Sequence, residues 1–237
     1  GVGRLPGRAP GRAVPGSRAP APLPMRRVGC VGLGAMGEGM ANCLLRSGFG
    51  VTVLGNTNRA PVEALAAAGA TEAAGYVDLV ERSDVICLCL PNSAVVEEAL
   101  GHMRPALVAG RHTVLDTGTS SLASTARIAD QLGGAGVGFA EAPLTGGKAQ
   151  AAEGILGALV GCSDETFRVV EPVLSAFCST VQHFGPVGAG GRAKLINNAM
   201  VIGIAALVIE AFRKARRTDT DWGQLFDVVT RGSADSG

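Results

Sequence analysis

Short apolar segments alternate with amphipathic ones along most of the chain. The segments RRVGCVGLG, VTVLG and DVICLCLP are largely apolar runs of the kind that form buried strands, beginning at residues 26, 51 and 84. Between them, AMGEGMANCLLRSG and PVEALAAAG carry apolar residues at helical spacing and end in glycine. Apolar strands separated by helices indicate a parallel sheet covered on both faces. The pattern therefore predicts a doubly wound α/β fold.

The same alternation continues to about residue 185 and then stops. SAVVEEALGHM, LASTARIADQLG and DETFRVVEPVLSAF are predicted as helices, and HTVLD and TVQHFG as strands. Beyond Gly185 the pattern is helical only, with a long apolar-faced helix from about Arg192 to Arg216 and then DWGQLFDVVTRG. We therefore predict one α/β domain over residues 25–187 and the beginning of an all-α domain over residues 188–237.

The all-α segment is too short to enclose a core of its own, so we expect the second domain to be incomplete. Its long helix carries an apolar stripe of Leu195, Met200, Ile202, Leu207 and Phe212. These side chains must pack on the first domain, on a partner chain or on residues that follow in a longer protein. The stripe predicts a homo-oligomer when the protein is full length.

Composition narrows the classes of partner. The formal net charge is +1, with no sustained basic run in the folded part, so we expect no nucleic-acid partner. The run AMVIGIAALVI stops at Glu210, short of the roughly 18 residues that a membrane span needs, so we predict no membrane partner. The six cysteines are scattered without metal-ligand spacing, which predicts buried thiols in a reducing compartment and no metal site.

The first 24 residues differ from the rest of the chain. They consist mostly of Gly, Ala, Pro and Arg without an acidic residue, and we expect this leader to be disordered. It is either an organellar transit peptide or upstream sequence ahead of a natural start at Met25, although prolines and glycines oppose the amphipathic helix of a transit peptide. We expect a cytoplasmic protein, or a mitochondrial one if the leader is a transit peptide.

The segment GLGAMG fits the pattern G-x-G-x-x-G directly after a predicted strand and at the start of a predicted helix. In that context the glycines allow a tight turn and let the backbone approach a pyrophosphate, whose charge the helix N-terminus stabilises. The alternative is a tight turn without a ligand. We predict a dinucleotide site of the Rossmann type, with cofactor contacts from Gly32, Leu33, Gly34, Ala35, Met36 and Gly37.

The end of the second strand bears on which dinucleotide is bound. An NAD site usually has an acidic residue there to bind the ribose 2′-hydroxyl, but this chain reads LGNTNR, with Asn56 and Arg59 and no acid. Without a carboxylate, a 2′-phosphate is not repelled, and Arg59 could pair with it. The sequence favours NADP over NAD, unless Arg59 simply lies on an exposed loop.

Three further turns follow predicted strands. Leu90 and Pro91 of LPN could brace the nicotinamide ribose, and Thr119 of DTGTS offers a hydroxyl. In EAPLTGG, Thr145 stands beside Gly146 and Gly147, an arrangement of hydroxyl and N–H groups suited to a carboxylate. Turn formation alone would also explain these residue types.

Lys194, in GPVGAGGRAKLINNAM, is one of three lysines in the chain. A P-loop requires Gly before the lysine and Ser or Thr after it, whereas Ala193 and Leu195 stand there, so a phosphate clamp is excluded by spacing. Lys194 and Asn198 share one helix face at i and i+4. We expect them to face the cleft at the domain boundary, the alternative being a surface or capping lysine.

In this order the motifs VGLGAMGEGMANCLLRSG, LPN, DTGTS, EAPLTGG and GAGGRAKLINN resemble the β-hydroxyacid dehydrogenase family, over about residues 27 to 237. The last motif fits the family pattern G-x-G-x-x-x-K-x-x-N-N completely. The resemblance implies that Lys194 is catalytic and exchanges a proton with the substrate oxygen. It also implies that Asn198 orients substrate and lysine, while Thr145, Gly146 and Gly147 hold the substrate carboxylate.

The resemblance thus implies an NAD(P)-dependent oxidoreductase that transfers a hydride between nicotinamide and a small 3-hydroxy acid or its semialdehyde. The alternative is a catalytically silent dinucleotide-binding or oligomerisation module. The chain departs from the family in having Glu141, Thr145 and Gln150 where Asp, Ser and Gly are usual, and Gly118 where Ser is usual. The added methyl of Thr145 bears on substrate shape.

Overall fold

A computed structural model describes residues 27–231, and these form a single sheet flanked by helices. The predicted leader, residues 1–24, and Met25 lie outside the described residues. The first half of the chain contains β1 (Arg27–Val31), α1 (Gly37–Arg46), β2 (Gly50–Leu54), α2 (Ala60–Ala67), β3 (Thr71–Ala73), α3 (Tyr76–Glu81), β4 (Val85–Leu88) and α4 (Ser93–Met103).

After a short 3-10 turn, Arg104–Ala106, the remaining elements are β5 (Thr113–Asp116), α5 (Leu122–Gly134), β6 (Gly138–Glu141), β7 (Leu144–Thr145), α6 (Lys148–Glu153), β8 (Leu156–Gly161), α7 (Asp164–Leu174), β9 (Cys178–Gly185), α8 (Ala189–Arg217) and α9 (Trp222–Arg231). Strands and helices continue to alternate among them, except that β7 follows β6 directly and the last two elements are both helices.

The sheet is parallel over its first six strands, as the apolar pattern predicts. The strand order is β3-β2-β1-β4-β5-β6-β8-β7, with β9 paired to β8, so β1 lies at the centre between β2 and β4. One face packs against α1, α2, α6 and α7, and the other against α3, α4 and α5. The doubly wound α/β fold is therefore confirmed.

The far side of the sheet is mixed rather than parallel. Glu141 pairs with Gly161 and Leu144 with Ala158, so the chain from β6 into β7 runs antiparallel to β8. β9 then pairs parallel to β8. This antiparallel ladder carries the EAPLTGG segment along β8 and past the carboxyl end of β6.

Two short pairs of elements were not predicted from the sequence: β3 with α3, and β7 with α6. β3 has three residues, of which two are exposed, and α6 has six residues with one buried. Segments this short offer too few positions for a periodic pattern to be recognised, so the hydrophobic pattern does not reveal them.

Helices α1 and α6 pack backbone to backbone. A Cβ on Gly39 of α1 would lie 2.8 Å from the carbonyl carbon of Ala151 in α6, so only glycine permits this approach. The thiol of Cys43 lies 3.3 Å from the Ala151 carbonyl oxygen, and Arg46 Nη2 donates to the Ala152 carbonyl oxygen at 2.8 Å. The crossing joins the first helix of the chain to the helix that follows EAPLTGG.

The long helix α8 starts at Ala189, slightly before the predicted Arg192. Its buried residues are Ala189, Gly190 and Ala215. The apolar stripe is exposed, up to 73% at Leu207, so in the described chain it does not pack on the first domain. One 18-residue window of α8 has a mean hydropathy of 1.9, and by length and composition α8 alone among residues 27–231 could span a membrane. Such a window is allowed up to two charged residues, whereas the sequence prediction considered only the uninterrupted apolar run that stops at Glu210.

All six cysteines are free, and five are buried. Burial raises the pKa of Cys30 to about 12, which keeps the thiol protonated at neutral pH. Cys89 is half-buried, because it follows β4 at the open edge of the sheet.

Candidate functional site

A cavity of about 930 Å³ opens at the carboxyl ends of β1, β2, β3 and β4, and we call it the cofactor cleft. This is the edge at which doubly wound sheets bind ligands. The predicted cofactor residues that line it are Gly32, Leu33, Gly34, Ala35, Met36, Asn56, Leu90 and Pro91. Residues that sequence reasoning did not single out also line it, among them Gly75, Tyr76 and Val95. They follow β3 or begin α4, and no spacing motif marks them.

The glycine loop has the geometry that a dinucleotide requires. Gly32 has φ +92°, and a Cβ there would collide with the carbonyl oxygen of Cys89. Gly34 has no atom within 4 Å of its Cβ position and faces open space in the cleft. A Cβ on Gly37 would collide with the Gly32 carbonyl oxygen. Gly32 and Gly37 therefore fold the loop, while Gly34 leaves a cradle into which a pyrophosphate fits.

Three predicted cofactor residues do not line the cleft. Gly37 is buried as the first residue of α1 and acts through the fold of the loop. Thr119 is exposed on the loop after β5. Arg59 is engaged elsewhere, since Nη1 and Nη2 donate to Glu72 Oε1 and Oε2 at 2.6 and 2.9 Å.

The loop after β5 is ordered by a buried carboxylate. Asp116 accepts hydrogen bonds from Gly118 N–H at 2.9 Å and from Ser120 Oγ at 2.8 Å. Burial raises the pKa of Asp116, and these two hydrogen bonds oppose that rise. Gly118, which departs from the family, has its Cβ position 3.0 Å from the Leu90 carbonyl oxygen, so the loop lies close against the cleft.

Lys194 lies against the EAPLTGG segment. Its Nζ donates to the carbonyl oxygen of Leu144 at 2.6 Å, next in the chain to Thr145. Lys194 is half-buried, and this desolvation lowers its pKa below the ordinary lysine value of 10.5. Asn198 is half-buried one turn further along α8. We call Lys194, Leu144 and residues 145–147 the lysine corner.

The predicted carboxylate loop is partly satisfied by its own chain. Gly146 has φ +105°, which favours glycine, and Gly147 N–H donates to Gln150 Oε1 at 3.0 Å. Thr145 Oγ1 lies 3.5 Å from the Gly157 carbonyl oxygen. A carboxylate bound by Gly147 N–H would therefore replace the side-chain amide of Gln150.

Glu141 supports the lysine corner from below, a role that sequence reasoning missed. The side chain is 3% exposed and lies under the first turn of α8. Burial raises the pKa of this carboxyl, and the N–H groups of Gly191, Gly188 and Gly190 oppose the rise. Its Oε1 has no hydrogen-bond partner among the described residues. The sequence marked Glu141 only as a departure from Asp, because α8 docks on β8 and β9 and its contact with Glu141 leaves no spacing signal.

The cofactor cleft and the lysine corner lie at the same edge of the sheet. Leu144 follows β6, whose carboxyl end points the same way as those of β1 and β4. Such an arrangement can hold a dinucleotide and a small carboxylate side by side with a proton donor. In the part of the chain from 27 to 231, no group of three or more His, Cys, Asp or Glu side chains could hold a metal ion.

Known proteins show the same architecture. Residues 27–185 match the family described as the NAD binding domain of 6-phosphogluconate dehydrogenase. A 2-(hydroxymethyl)glutarate dehydrogenase of Eubacterium barkeri is 34% identical over 74% of this chain and 58% of its own length. A mitochondrial 3-hydroxyisobutyrate dehydrogenase of Drosophila melanogaster is 30% identical over 86% of this chain and 63% of its own length.

A solved structure extends the similarity into α8. The 3-hydroxyisobutyrate dehydrogenase of Mycobacterium tuberculosis, with L-serine, has a TM-score of 0.82 and 27% identity. The match covers 88% of this chain and 71% of that structure. The residues before α8 make up a smaller share of the chain, so the match includes part of α8. The chain thus spans about three fifths of the length of the two relatives and more of the solved structure. By the match over residues 27–185 and the motif order from the glycine loop to Lys194, the chain belongs to the β-hydroxyacid dehydrogenase family, with a nicotinamide dinucleotide as its cofactor.

Proposed function

We propose that this protein is an NAD(P)-dependent dehydrogenase or reductase of small 3-hydroxy acids or their semialdehydes. The observation that carries the proposal is the half-buried Lys194 in hydrogen-bond contact with the EAPLTGG segment, at the sheet edge that also holds the cofactor cleft. Retention of this lysine favours an enzyme over a silent dinucleotide-binding module. When bound, the nicotinamide exchanges a hydride with the substrate carbon.

The chain's own residues supply positioning and a proton. The glycine loop 32–37 binds the pyrophosphate, and Leu90 and Pro91 lie where they can brace the nicotinamide ribose. Thr145, Gly146 and Gly147 hold the substrate carboxylate, and Asn198 orients the substrate against the lysine. The Lys194 ammonium gives its proton to the carbonyl oxygen during reduction, and the neutral amine accepts the hydroxyl proton during oxidation. Because burial lowers the pKa of Lys194, the neutral amine is reached at a lower pH than for an exposed lysine.

The cofactor preference proposed here is NADP over NAD, because no acidic residue follows β2 in the sequence. The support from Arg59 is reduced by its pairing with Glu72. We therefore expect the preference to be small.

The exposed stripe on α8 supports a homo-oligomer. Apolar side chains 40–73% exposed along one helix form a larger apolar surface than monomeric proteins usually leave in water. A second copy of the chain could cover this face without a membrane. We propose a cytoplasmic enzyme that acts without nucleic acid or membrane.

A substrate screen tests the proposal. The full-length protein is assayed with NAD and NADP against small 3-hydroxy acids, including 3-hydroxyisobutyrate, L-serine and 2-(hydroxymethyl)glutarate, and reduced cofactor is followed by absorbance. We expect turnover of at least one acid. Tight cofactor binding without turnover of any acid or semialdehyde would favour the silent module instead.

A further inference from the structure

The sequence has no acidic residue at the end of β2, but the fold places one there. Glu72 lies on β3, which pairs with β2 so that Glu72 stands opposite Val53, two residues before Gly55. Its carboxylate reaches across the end of β2 and binds both terminal nitrogens of Arg59. The neighbouring strand therefore supplies the carboxylate that the end of the second strand lacks.

Gly55 makes this arrangement possible. A Cβ on Gly55 would lie 2.5 Å from Arg59 Nη1 and 2.7 Å from Glu72 Oε1. The ion pair thus occupies the space into which any side chain at position 55 would project. Gly55 and Asn56 line the cofactor cleft, so the pair stands directly behind the cleft wall.

A dinucleotide site usually contacts the adenosine ribose at the end of the second strand. An acidic residue there favours the free 2′-hydroxyl of NAD, whereas an arginine favours the 2′-phosphate of NADP. Here both groups are present and each is bound to the other. The hydrogen bond and charge of Arg59 lower the pKa of Glu72, so the carboxylate is ionised at neutral pH. Arg59 therefore cannot pair with a 2′-phosphate without giving up two hydrogen bonds, and the freed carboxylate would repel that phosphate.

We propose that Glu72 is a cofactor-specificity residue, which withholds Arg59 from the 2′-phosphate of NADP and keeps a negative charge beside the ribose. The inference rests on the proposed cofactor cleft, but it concerns the choice between two cofactors rather than the reaction. The native protein is then expected to distinguish NADP from NAD only weakly. A single substitution at Glu72 on β3 is expected to increase its preference for NADP.

The size of the effect follows from the exposure of the pair. The side chains of Arg59 and Glu72 are 50% and 36% exposed, and ion pairs of this kind are weak and screened by salt. Replacing Glu72 by Gln is therefore expected to tighten NADPH binding about fivefold at low ionic strength. The gain shrinks at about 1 M salt, where the Debye length falls to about 3 Å.

The test measures dissociation constants for NADPH and NADH by fluorescence titration on the full chain. It compares the native protein with Glu72→Gln, Arg59→Gln and the double substitution. We expect Glu72→Gln to tighten NADPH and leave NADH within about twofold, Arg59→Gln alone to change the ratio little, and the double substitution to remove the gain. Glu63→Gln is the matched control, because Glu63 acts on Arg59 through charge without a hydrogen bond.

Three results would overturn the inference alone, and a fourth would also overturn the proposed function. If Glu72→Gln leaves the NADPH-to-NADH ratio unchanged while NADH still binds, Glu72 has no part in specificity and the proposed function stands. If Glu63→Gln matches the gain, the effect is general charge rather than the pair. If Arg59→Gln weakens NADPH about fivefold in the native background, Arg59 already leaves Glu72 for the phosphate. A native chain that binds neither cofactor would contradict both the inference and the proposed function.

Discussion

The cofactor cleft and the lysine corner lie at the same sheet edge but are supported in different ways. The cleft is lined by residues 31 to 95, which are close in sequence and belong to adjoining parallel strands. The lysine corner joins Leu144 to Lys194, fifty residues apart, through one hydrogen bond and the buried first turn of α8. Beyond Asn198, α8 is exposed except at Ala215.

Because of this difference, we expect cofactor binding and the proposed catalysis to depend on different parts of the protein. The cleft has its walls within the described chain, so cofactor binding depends on local turns. The lysine corner has one wall in the described chain and an uncovered helix beside it, so the proposed catalysis at Lys194 is expected to depend on what covers α8. Substitutions at the two regions are expected to give different signatures in binding, rate and assembly.

The largest effect is expected at Lys194. Lys194→Ala removes the proposed proton donor and should lower turnover by about 10²- to 10⁴-fold while leaving the cofactor dissociation constant within about twofold. Lys214→Ala, an exposed lysine on the same helix, is the control and should keep full activity. An equal loss of turnover and cofactor affinity in Lys194→Ala would show that the two regions are not separate.

The glycine loop offers a matched pair of substitutions. Gly32→Ala forces a Cβ onto the Cys89 carbonyl at φ +92° and should lower the free energy of unfolding by about 3 kcal/mol. Gly34→Ala meets no atom and should change that free energy by less than about 0.5 kcal/mol, yet weaken cofactor binding about tenfold. Urea unfolding and fluorescence titration check both, and similar stability of the two variants would contradict the assigned roles.

The α8 stripe is tested by adding a charge. Leu207→Glu should convert the proposed homo-oligomer to a monomer, because a carboxylate cannot be buried unpaired in an apolar interface. Light scattering after size exclusion measures the mass, and Val108→Glu, at an isolated exposed valine, is the control. A native chain that is monomeric, or that floats with lipid vesicles, would show that a second copy does not cover this face.

A smaller effect is expected at Gln150, whose side-chain oxygen accepts a hydrogen bond from Gly147 N–H. Gln150→Ala frees that donor for the substrate carboxylate and should lower KM about fivefold with little change in kcat. Lys148→Ala, in the same exposed turn, is the control. A higher KM in Gln150→Ala would instead make the amide a substrate contact.

The smallest effect is expected from Glu141, and it depends on pH. Burial raises the folded-state pKa, so the stability that this carboxyl contributes is full below its ordinary value of 4.5 and is lost as pH rises through the raised value. Glu141→Gln has no such loss, and its Tm advantage should grow from pH 4.5 upward to about 3 °C. Calorimetry across that range checks the sign, and a constant difference would rule out ionisation as the cause.

The sequence predicts the cleft well because its signals are local. The strands β1, β2 and β4 are short apolar runs, and the glycine at position 32 is required by a turn within the same motif. Glu72 could not be recognised, because its proximity to Arg59 arises from the pairing of β2 with β3, and β3 is too short to be seen. Glu141 was missed for the same physical reason, since its contact with the first turn of α8 joins residues about fifty positions apart in the chain.

The glycine crossing of α1 on α6 has a consequence for the distance between the two ligands. α1 begins at the loop proposed to bind the pyrophosphate, and α6 begins directly after Gly147 in the loop proposed to bind the carboxylate. Their backbones are in contact at Gly39 and Ala151, so we expect the two helices to keep a fixed spacing. The distance between the proposed pyrophosphate and carboxylate sites is then set by a helix crossing before either ligand binds, and a side chain at position 39, in the first turn of α1, would alter it.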